Sequence, residues 1–512
     1  MDKSLSMPPL FAAFGMALAY YGYPLFISVG TNFLLGLFFI LTAVVCFLRV
    51  LCYTPLTNSK SQDLKLTNSR WMNFKSVSTA GILAVALAVG FSLGVGARRT
   101  VPGHAELGFP PENIIAVSGI LAEDPRSLQG GSGLGVLRLR QSVVDGGARA
   151  SARGNLTVFF PAESIPRLKE FGRGSEIYLD GIYYTGQRGP VFNASSVHIV
   201  QGAPPLEQFR TSLRLTLIDK FQSRQSRSPP VWGSLASALI LGVRDDLDVD
   251  LSGGFRNSGV AYILALSGMH LAIISAVLAF LLRRPLGIRW ASLVGAVFII
   301  AYVFVAGSQP SLVRAAIMYL TGTFALWGFL KKNTLSVLSM AFILQLAFQS
   351  ETGISLSFIL SYLAMAGILI LGPALRDLFR GRLPEILSET LSVSLGAFIA
   401  TSPVVAVFFG SLRPIGILAG LLIVPLTTLF MVLSLIALVA AFLPLPLWDV
   451  LNLTLTWIYR FMEYIVLTAG RVPGFSVSNS APVLITTILL SLLILYIQKK
   501  DQAYRNNIAS FD

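Results

Sequence analysis

The sequence predicts a polytopic α-helical membrane protein with a small β domain inserted outside the membrane. Hydrophobic residues make up 54% of the 512 residues, charged residues only 12%, and the mean hydropathy is +0.70. A soluble chain carries roughly a quarter charged residues, so most of this chain has no water to face. Residues 98–230 differ, because they are polar and rich in glycine. The contrast predicts a membrane-spanning part and a soluble domain.

Long apolar runs predict about 12 transmembrane helices, since about 20 apolar residues cross a bilayer core. The predicted spans are 8–29, 32–54, 77–97, 257–282, 290–307, 311–330, 334–350, 354–374, 389–409, 415–443, 447–469 and 481–498. Pro425, near the middle of 415–443, predicts a kink or a pair of half-helices there. The predicted parts are an N-terminal transmembrane region 1–97 with three helices, a β domain 98–230, a transmembrane domain 231–498 and a tail 499–512.

Basic residues collect in every second predicted loop. They are Lys60, Lys65, Arg70, Lys75, Arg283, Arg284, Arg289, Lys331, Lys332, Arg376, Arg380, Arg382, Lys499 and Lys500. Because Lys and Arg favour cytoplasmic loops, this alternation predicts that both termini are cytoplasmic and that the β domain is extracytoplasmic.

The β domain contains five strand-like runs, at 114–121, 136–141, 156–160, 176–184 and 193–200, with a helical stretch at 162–171. A helix between the third and fourth strands is the order of an OB barrel. Such barrels bind single strands through basic groups and stacking aromatic rings, and the candidates are Arg138, Arg140, Arg173 and Tyr178. The sequence alone favours the alternative, in which the aromatic rings build the barrel core and the arginines form a solvated face.

The polar residues give no support for metal or enzyme chemistry. The cysteines Cys46 and Cys52 and the three histidines show no metal-binding spacing, so no metal or cofactor is expected. Ser267 and His270 share a helix face, as a Ser–His nucleophile pair would. The sequence shows no third group to orient the histidine and no nucleophile elbow, which argues against a hydrolase. We therefore predict that the protein is not an enzyme.

Polar groups inside apolar spans are costly and are candidates for function. Around the fourth span these are Arg256, Tyr262, Ser267, Gly268 and His270, and Arg314 lies in an apolar stretch further on. An arginine in such a position needs an anionic, carbonyl or aqueous partner, and it could meet a phosphate. The alternative is that these groups only bond neighbouring helices together.

The stretch LILGVRDDLDVDLSGGFRNSGVAYILALSGMHLAII, residues 239–274, resembles the central motif of the ComEC competence family. It contains the leading LxLG, the FRxSG approach at 255–259 and the LALSGMH core at 264–270. AGSQPSLVRAAIM at 306–318 and GISLSFILSYLAMAGIL at 353–369 resemble two further segments of that family. The chain has no HxHxDH motif of the metallo-β-lactamase-like domain that many members carry, so we expect a form without that domain.

The resemblance implies a channel in the bacterial inner membrane that translocates single-stranded DNA during natural transformation. It assigns Arg256, Tyr262, Ser267, Gly268, His270 and Arg314 to the DNA path. The expected partners are single-stranded DNA and membrane lipid. A cytoplasmic ATP-dependent motor, a separate nuclease and a homo-oligomer are left open. The alternatives are a small-solute transporter and a structural membrane protein.

Overall fold

The computed structural model describes residues 7–22, 94, 105–128, 131–186, 189–222, 230–328, 334–442, 448–477 and 481–508. The predicted spans 32–54 and 77–97 lie outside these residues, apart from Gly94. Helix α1, Met7–Gly22, lies in the first predicted span.

The β domain is a closed barrel of the OB type. The strands are β1 (Ile114–Leu121), β2 (Arg126–Ser127), β3 (Gly133–Val144), β4 (Arg149–Ser151), β5 (Asn155–Phe160), β6 (Glu176–Gly186) and β7 (Gly189–Gln201). β1 pairs with β3 and with β6, β6 with β7, and β3 with β5, and the parallel pairing of β5 with β7 completes the ring. Helix α2, Ile165–Phe171, lies between β5 and β6. This is the strand and helix order that the sequence predicts.

Alternation along the strands separates the barrel core from its surface. On β3, Leu137 and Leu139 are buried while Arg138 and Arg140 are exposed. The core also contains Phe160 and Phe192, packed among aliphatic side chains. Of the predicted aromatic candidates, Tyr178 lies outside this core, because its strand neighbours Ile177 and Leu179 are the buried residues.

The remaining helices follow the barrel. They are α3 (Pro205–Gln222), α4 (Gly233–Leu241), α5 (Val249–Asn257), α6 (Gly268–Ala306), α7 (Pro310–Trp327), α8 (Thr334–Phe348), α9 (Leu356–Ile370), α10 (Gly372–Phe379), α11 (Glu385–Phe409), α12 (Ile415–Phe442), α13 (Trp448–Gly470) and α14 (Ala481–Ile508). Two short strands, β8 (Ser411–Leu412) and β9 (Phe475–Ser476), pair in antiparallel fashion.

Helix α6 folds back on itself. A straight helix of its 39 residues would be about 58 Å long. The Ser311 hydroxyl, just beyond its end, nevertheless donates to the carbonyl of Leu266, just before its start, at 2.5 Å. The reversal lies at Gly287, whose φ of 73° is outside the helical range, two residues after Pro285. The two halves therefore correspond to two predicted spans, and Arg284 and Arg289 lie at the turn.

The predicted number of twelve spans is not supported. In the part of the chain that the structure describes, four helices are long and apolar enough to cross a membrane, or five if the bent pair α9 and α10 is one span. The predicted spans 32–54 and 77–97, apart from Gly94, lie outside the residues searched, and α6 counts as one helix although its two halves correspond to two predicted spans. Two further spans differ for physical reasons. The apolar run 334–350 forms only the 15-residue α8, and the run 354–374 is broken by a 42° bend between α9 and α10. The prediction of a membrane protein with a β domain is confirmed, whereas the predicted number of membrane spans is not.

A cluster of charges joins the barrel to the helices, and we call it the ionic anchor. Asp124, in the loop after β1, accepts hydrogen bonds from Arg210 Nη1 at 2.9 Å and from Arg214 Nη1. Glu207 accepts from Arg210 Nε at 2.7 Å and from Arg173 Nη2 at 2.6 Å. The Arg210 side chain is only 1% exposed. Because α3 supplies Glu207, Arg210 and Arg214, this helix is fixed against the barrel.

The ionic anchor predicts an acid-sensitive junction. Burial alone would raise the pKa of Asp124, but the hydrogen bond from Arg210 and the charges of Arg214 and Arg210 outweigh it, so the pKa is lowered below 3.8. The lowered pKa stabilises the junction at pH values above the ordinary pKa of an aspartate. This stabilisation is lost as the pH falls through the pKa that Asp124 has in the folded protein. Limited proteolysis of the linker before α3 should therefore show protection at pH 7 and cleavage in acid.

Asp124→Asn should expose the same linker at pH 7. Removing one partner of a buried ion pair costs about 3 to 5 kcal/mol, and we expect about 2 to 3 kcal/mol here because the Asp124 side chain is 27% exposed. The matched control is Glu123→Gln, which breaks an exposed ion pair with Arg126 and should change protection little. Equal protection in both variants would contradict the role of the anchor.

Candidate functional site

The start of α6 is capped by its own histidine. The backbone N–H of Ser267 donates to His270 Nδ1 at 3.0 Å, and Ser267 Oγ lies 2.9 Å from the same nitrogen. Since Nδ1 accepts, the ring proton is on Nε2. His270 is fully buried, and Nε2 has no hydrogen-bond partner among the described residues. Ser267 and His270 therefore close the first turn of α6 as a capping box.

Four residues from three helices form a buried group that we call the polar seam: Arg314, Gln345, Ser361 and Tyr362. Arg314 Nη1 donates to the carbonyl of Ser361, and the guanidinium carbon lies 5.6 Å from the centre of the Tyr362 ring. The Tyr362 hydroxyl donates to Gln345 Oε1 at 2.9 Å. Gln345 Nε2 donates to the carbonyl of Pro310, also at 2.9 Å. The seam thus links α7, α9 and α8 and returns to α7.

Gly268 brings α6 against this seam. A Cβ atom at Gly268 would lie 3.2 Å from Arg314 Nη2 and 3.4 Å from the Cβ of Ala315. Arg314 itself is only 5% exposed. Because Gly268 and His270 are two positions apart, they point about 200° away from each other around the helix. Of the α6 candidates, it is therefore Gly268 that meets Arg314, while His270 faces another side.

Of the four seam residues, only Arg314 is assigned to the DNA path from the sequence, and Gln345 is the clearest of those that sequence reasoning misses. It is the only amide in the apolar helix α8 and is 1% exposed. A single buried amide among apolar residues must find partners, so its isolation was the available signal. Its partners lie on α7 and α9, which no local pattern could reveal.

Arg256 and Tyr262 lie away from both the seam and the start of α6. The Arg256 side chain is exposed near the end of α5 and makes no hydrogen bond or ion pair among the described residues. Tyr262 is 54% exposed, and its hydroxyl lies 2.9 Å from where a Cβ of Gly420 would be. The Arg413 guanidinium donates to the carbonyl of Asn257 at 2.7 Å. The segment after α5, which contains Tyr262, therefore forms a junction with the start of α12.

On the barrel, Arg138, Arg140 and Tyr178 share the outer side of β3, β1 and β6, which we call the barrel face. Arg140 is paired with Glu176 at 2.9 Å, whereas Arg138 has no ion pair among the described residues. Burial, together with the neighbouring Asp180 carboxylate, raises the pKa of Tyr178 and keeps its hydroxyl protonated. Arg173, the fourth predicted contact, is not on this face, because the ionic anchor binds it.

The acidic run after α4 has structural roles. Asp245 forms an ion pair with Lys169 of the barrel at 2.6 Å and accepts from the Ser127 backbone N–H. Asp248 caps α5 by accepting from the backbone N–H of Asp250 at 2.7 Å. Among the residues that the structure describes, no group of three or more His, Cys, Asp or Glu side chains could hold a metal ion.

The closed OB-type barrel, the apolar helices and the polar seam define a membrane protein with an OB-type barrel domain. The Competence protein family matches residues 239–501, which is more than half of the chain. The chain belongs to this family. The matched segment begins in α4 and contains the whole polar seam.

Two relatives extend the comparison. The chain is 28% identical over 329 residues to ComE operon protein 3 of Bacillus subtilis (strain 168), covering 60% of this chain and 40% of that protein. It is 26% identical over 301 residues to an uncharacterized protein of Aquifex aeolicus (strain VF5), covering 59% of this chain and 68% of that protein. The match therefore spans less than half of the Bacillus protein. No solved structure matches.

The contact between Gly268 and Arg314 can be tested with a matched pair of glycines. Gly268→Ala should lower stability by about 1 kcal/mol, because the new methyl group displaces a guanidinium that is held by Ser361 and Tyr362. Gly253→Ala, in helix α5 with no atom within 4 Å, should raise stability by about 0.5 to 1 kcal/mol. Thermal unfolding of the purified protein measures both, and an equal effect at the two sites would contradict the packing role.

Proposed function

We propose that the protein takes up DNA during competence and passes a single strand through the membrane. Membership of the Competence protein family and the printed name of the Bacillus relative support DNA uptake. The observation that carries the finer proposal is the position of the barrel face beside the helices that form the polar seam.

The barrel face has the chemistry that single strands require. Among the described residues Arg138 has no ion pair, and Tyr178, on β6 across the intervening β1, offers an aromatic ring on the same outer side. Phosphates attract such cations, and bases of any sequence stack on aromatic rings. In this proposal the face receives the strand without reading its sequence.

A contact between the barrel and the helices indicates where the strand would go next. Asn155, the strand neighbour of Arg138, donates through Nδ2 to Glu351 Oε2 at 3.0 Å. Glu351 lies in a short 3-10 turn, Ser350–Ile354, between α8 and α9. These two helices hold Gln345 and Tyr362, so the received strand would meet the seam at the ends of α8 and α9.

A polyanion cannot enter an apolar bundle without polar partners, and the seam is the buried polar group at this end. Arg314 would provide the cation, with Ser267, Gly268 and His270 shaping the neighbouring start of α6. Arg256 and Tyr262 would contribute from the junction beside it. Since Arg314 is 5% exposed, the seam has to separate before a strand can pass.

The arrangement also supports an orientation in the bacterial inner membrane. The turn of α6, with Arg284 and Arg289, lies at the opposite end from Ser267 and the barrel. Basic loops prefer the cytoplasm, so the barrel would be extracytoplasmic and both termini cytoplasmic. The translocation would use the domains 98–230 and 231–498, with an ATP-dependent motor and a nuclease as separate partners.

Salt dependence of DNA binding tests the barrel face. For single strands, each phosphate contact contributes about 0.7 to the slope of log affinity against log salt. Arg138→Gln should reduce that slope by about 0.7, measured by fluorescence anisotropy on the full chain in nanodiscs. Arg140→Gln is the matched control and should reduce it less, because Glu176 holds that guanidinium. Equal slopes in Arg138→Gln and the unmodified protein would show that Arg138 does not contact the DNA phosphates.

His270→Ala should abolish transformation while the amount of protein in the membrane stays unchanged, because the start of α6 loses its cap. The assay is the transformation frequency of a naturally competent host that depends on this chain. His198→Ala removes an exposed histidine of the barrel and should leave uptake intact. Normal DNA uptake in the His270 variant would count heavily against the proposed path.

A further inference from the structure

Among the described residues, polar side-chain contacts attach the barrel to the helices at three places of unequal strength. The ionic anchor buries Arg210 at 1% exposure and joins the barrel to α3. Asp245 adds a partly exposed ion pair with Lys169. The third attachment is the exposed hydrogen bond from Asn155 to Glu351. Exposed polar contacts contribute little net stability, so this third contact is the one that can break without disturbing the others.

The hydrogen bond from Asn155 to Glu351 lies beside the proposed DNA contact at Arg138. Asn155 is the strand neighbour of Arg138, at the end of the barrel face. The bond therefore holds the Glu351 carboxylate near the cation that would receive phosphates. A carboxylate in that position repels a polyanion and competes for the arginine.

We propose that the bond between Asn155 and Glu351 is a releasable latch that keeps the barrel face from receiving DNA until the barrel swings away about the ionic anchor. This inference rests on the proposed function. Release of the latch removes the carboxylate from the barrel face and uncovers the turn between α8 and α9. The anchor holds the barrel on α3 throughout.

The latch can be locked chemically. In a full-length chain with Cys46→Ser and Cys52→Ser, Asn155→Cys and Glu351→Cys are bridged with a bis-methanethiosulfonate linker that a reductant cleaves. Binding of a fluorescent single strand to the protein in nanodiscs is then measured before and after reduction. A second protein carries the pair Phe159→Cys and Asn193→Cys, which are paired on β5 and β7, away from the barrel face, and do not join the barrel to the helices.

We expect the bridged latch to bind the strand at least tenfold more weakly, reduction to restore binding, and the bridge within the barrel to have no effect. Equal affinity of the bridged and the reduced latch would overturn the inference. Failure of the reduced and unmodified proteins to bind any single strand would instead overturn the proposed function. The two failures are therefore distinguishable.

A charge substitution tests the electrostatic part separately. Glu351→Gln keeps an oxygen that accepts from Asn155 but removes the negative charge. It should tighten binding several-fold at low salt, and the gain should fade as salt is added. Glu389→Gln, at an exposed carboxylate near the start of α11, is the matched control and should leave the affinity unchanged. Unchanged affinity in Glu351→Gln would contradict the repulsion.

Discussion

The guanidinium of Arg314 constrains the arrangement of the helices around it. An arginine side chain stays charged in a protein, so once buried it must be surrounded by acceptors and polarisable groups. The Ser361 carbonyl accepts from one of its nitrogens, the Tyr362 ring lies beside it, and Gln345 holds the tyrosine in place, while Arg314 Nε has no partner among the described residues. Gly268 leaves the space that lets α6 approach. Helices α6, α7, α8 and α9 are therefore positioned around one cation, and in the proposed function a passing strand would take over its contacts.

The arginines of the barrel and of α3 include two groups with different roles. Arg173 of the barrel and Arg210 and Arg214 of α3 are paired with Asp124 and Glu207 in the ionic anchor and attach the barrel to α3. On the barrel face, Arg140 is held by Glu176 while Arg138 has no ion pair among the described residues. A basic composition thus says little about nucleic-acid binding until the carboxylate partners are known. On this face Arg138 is exposed, and its strand partner Asn155 is bonded to Glu351 of the helical part.

The barrel could be predicted from sequence because its signals are local. Alternation of leucine with arginine at 137–140 sets both faces of β3, and the order of strands and helix defines the OB type. The helices were harder, since hydropathy finds apolar runs but does not show where a helix ends or bends, as at Gly287. Long-range partners could not be found either. The pairing of Arg173 with Glu207, and of Gln345 with Tyr362, depends on residues far apart in the chain.

The central claim, that one strand runs from the barrel to the polar seam, is tested most directly by photo-crosslinking. A single strand carrying photoreactive bases is bound to the full-length protein in nanodiscs, and the adducts are located by mass spectrometry. The account predicts adducts on the barrel face near Arg138 and also in the segment 262–270 or on α9 near Tyr362. Adducts confined to the barrel, with none in α6 to α9 under conditions of uptake, would contradict it.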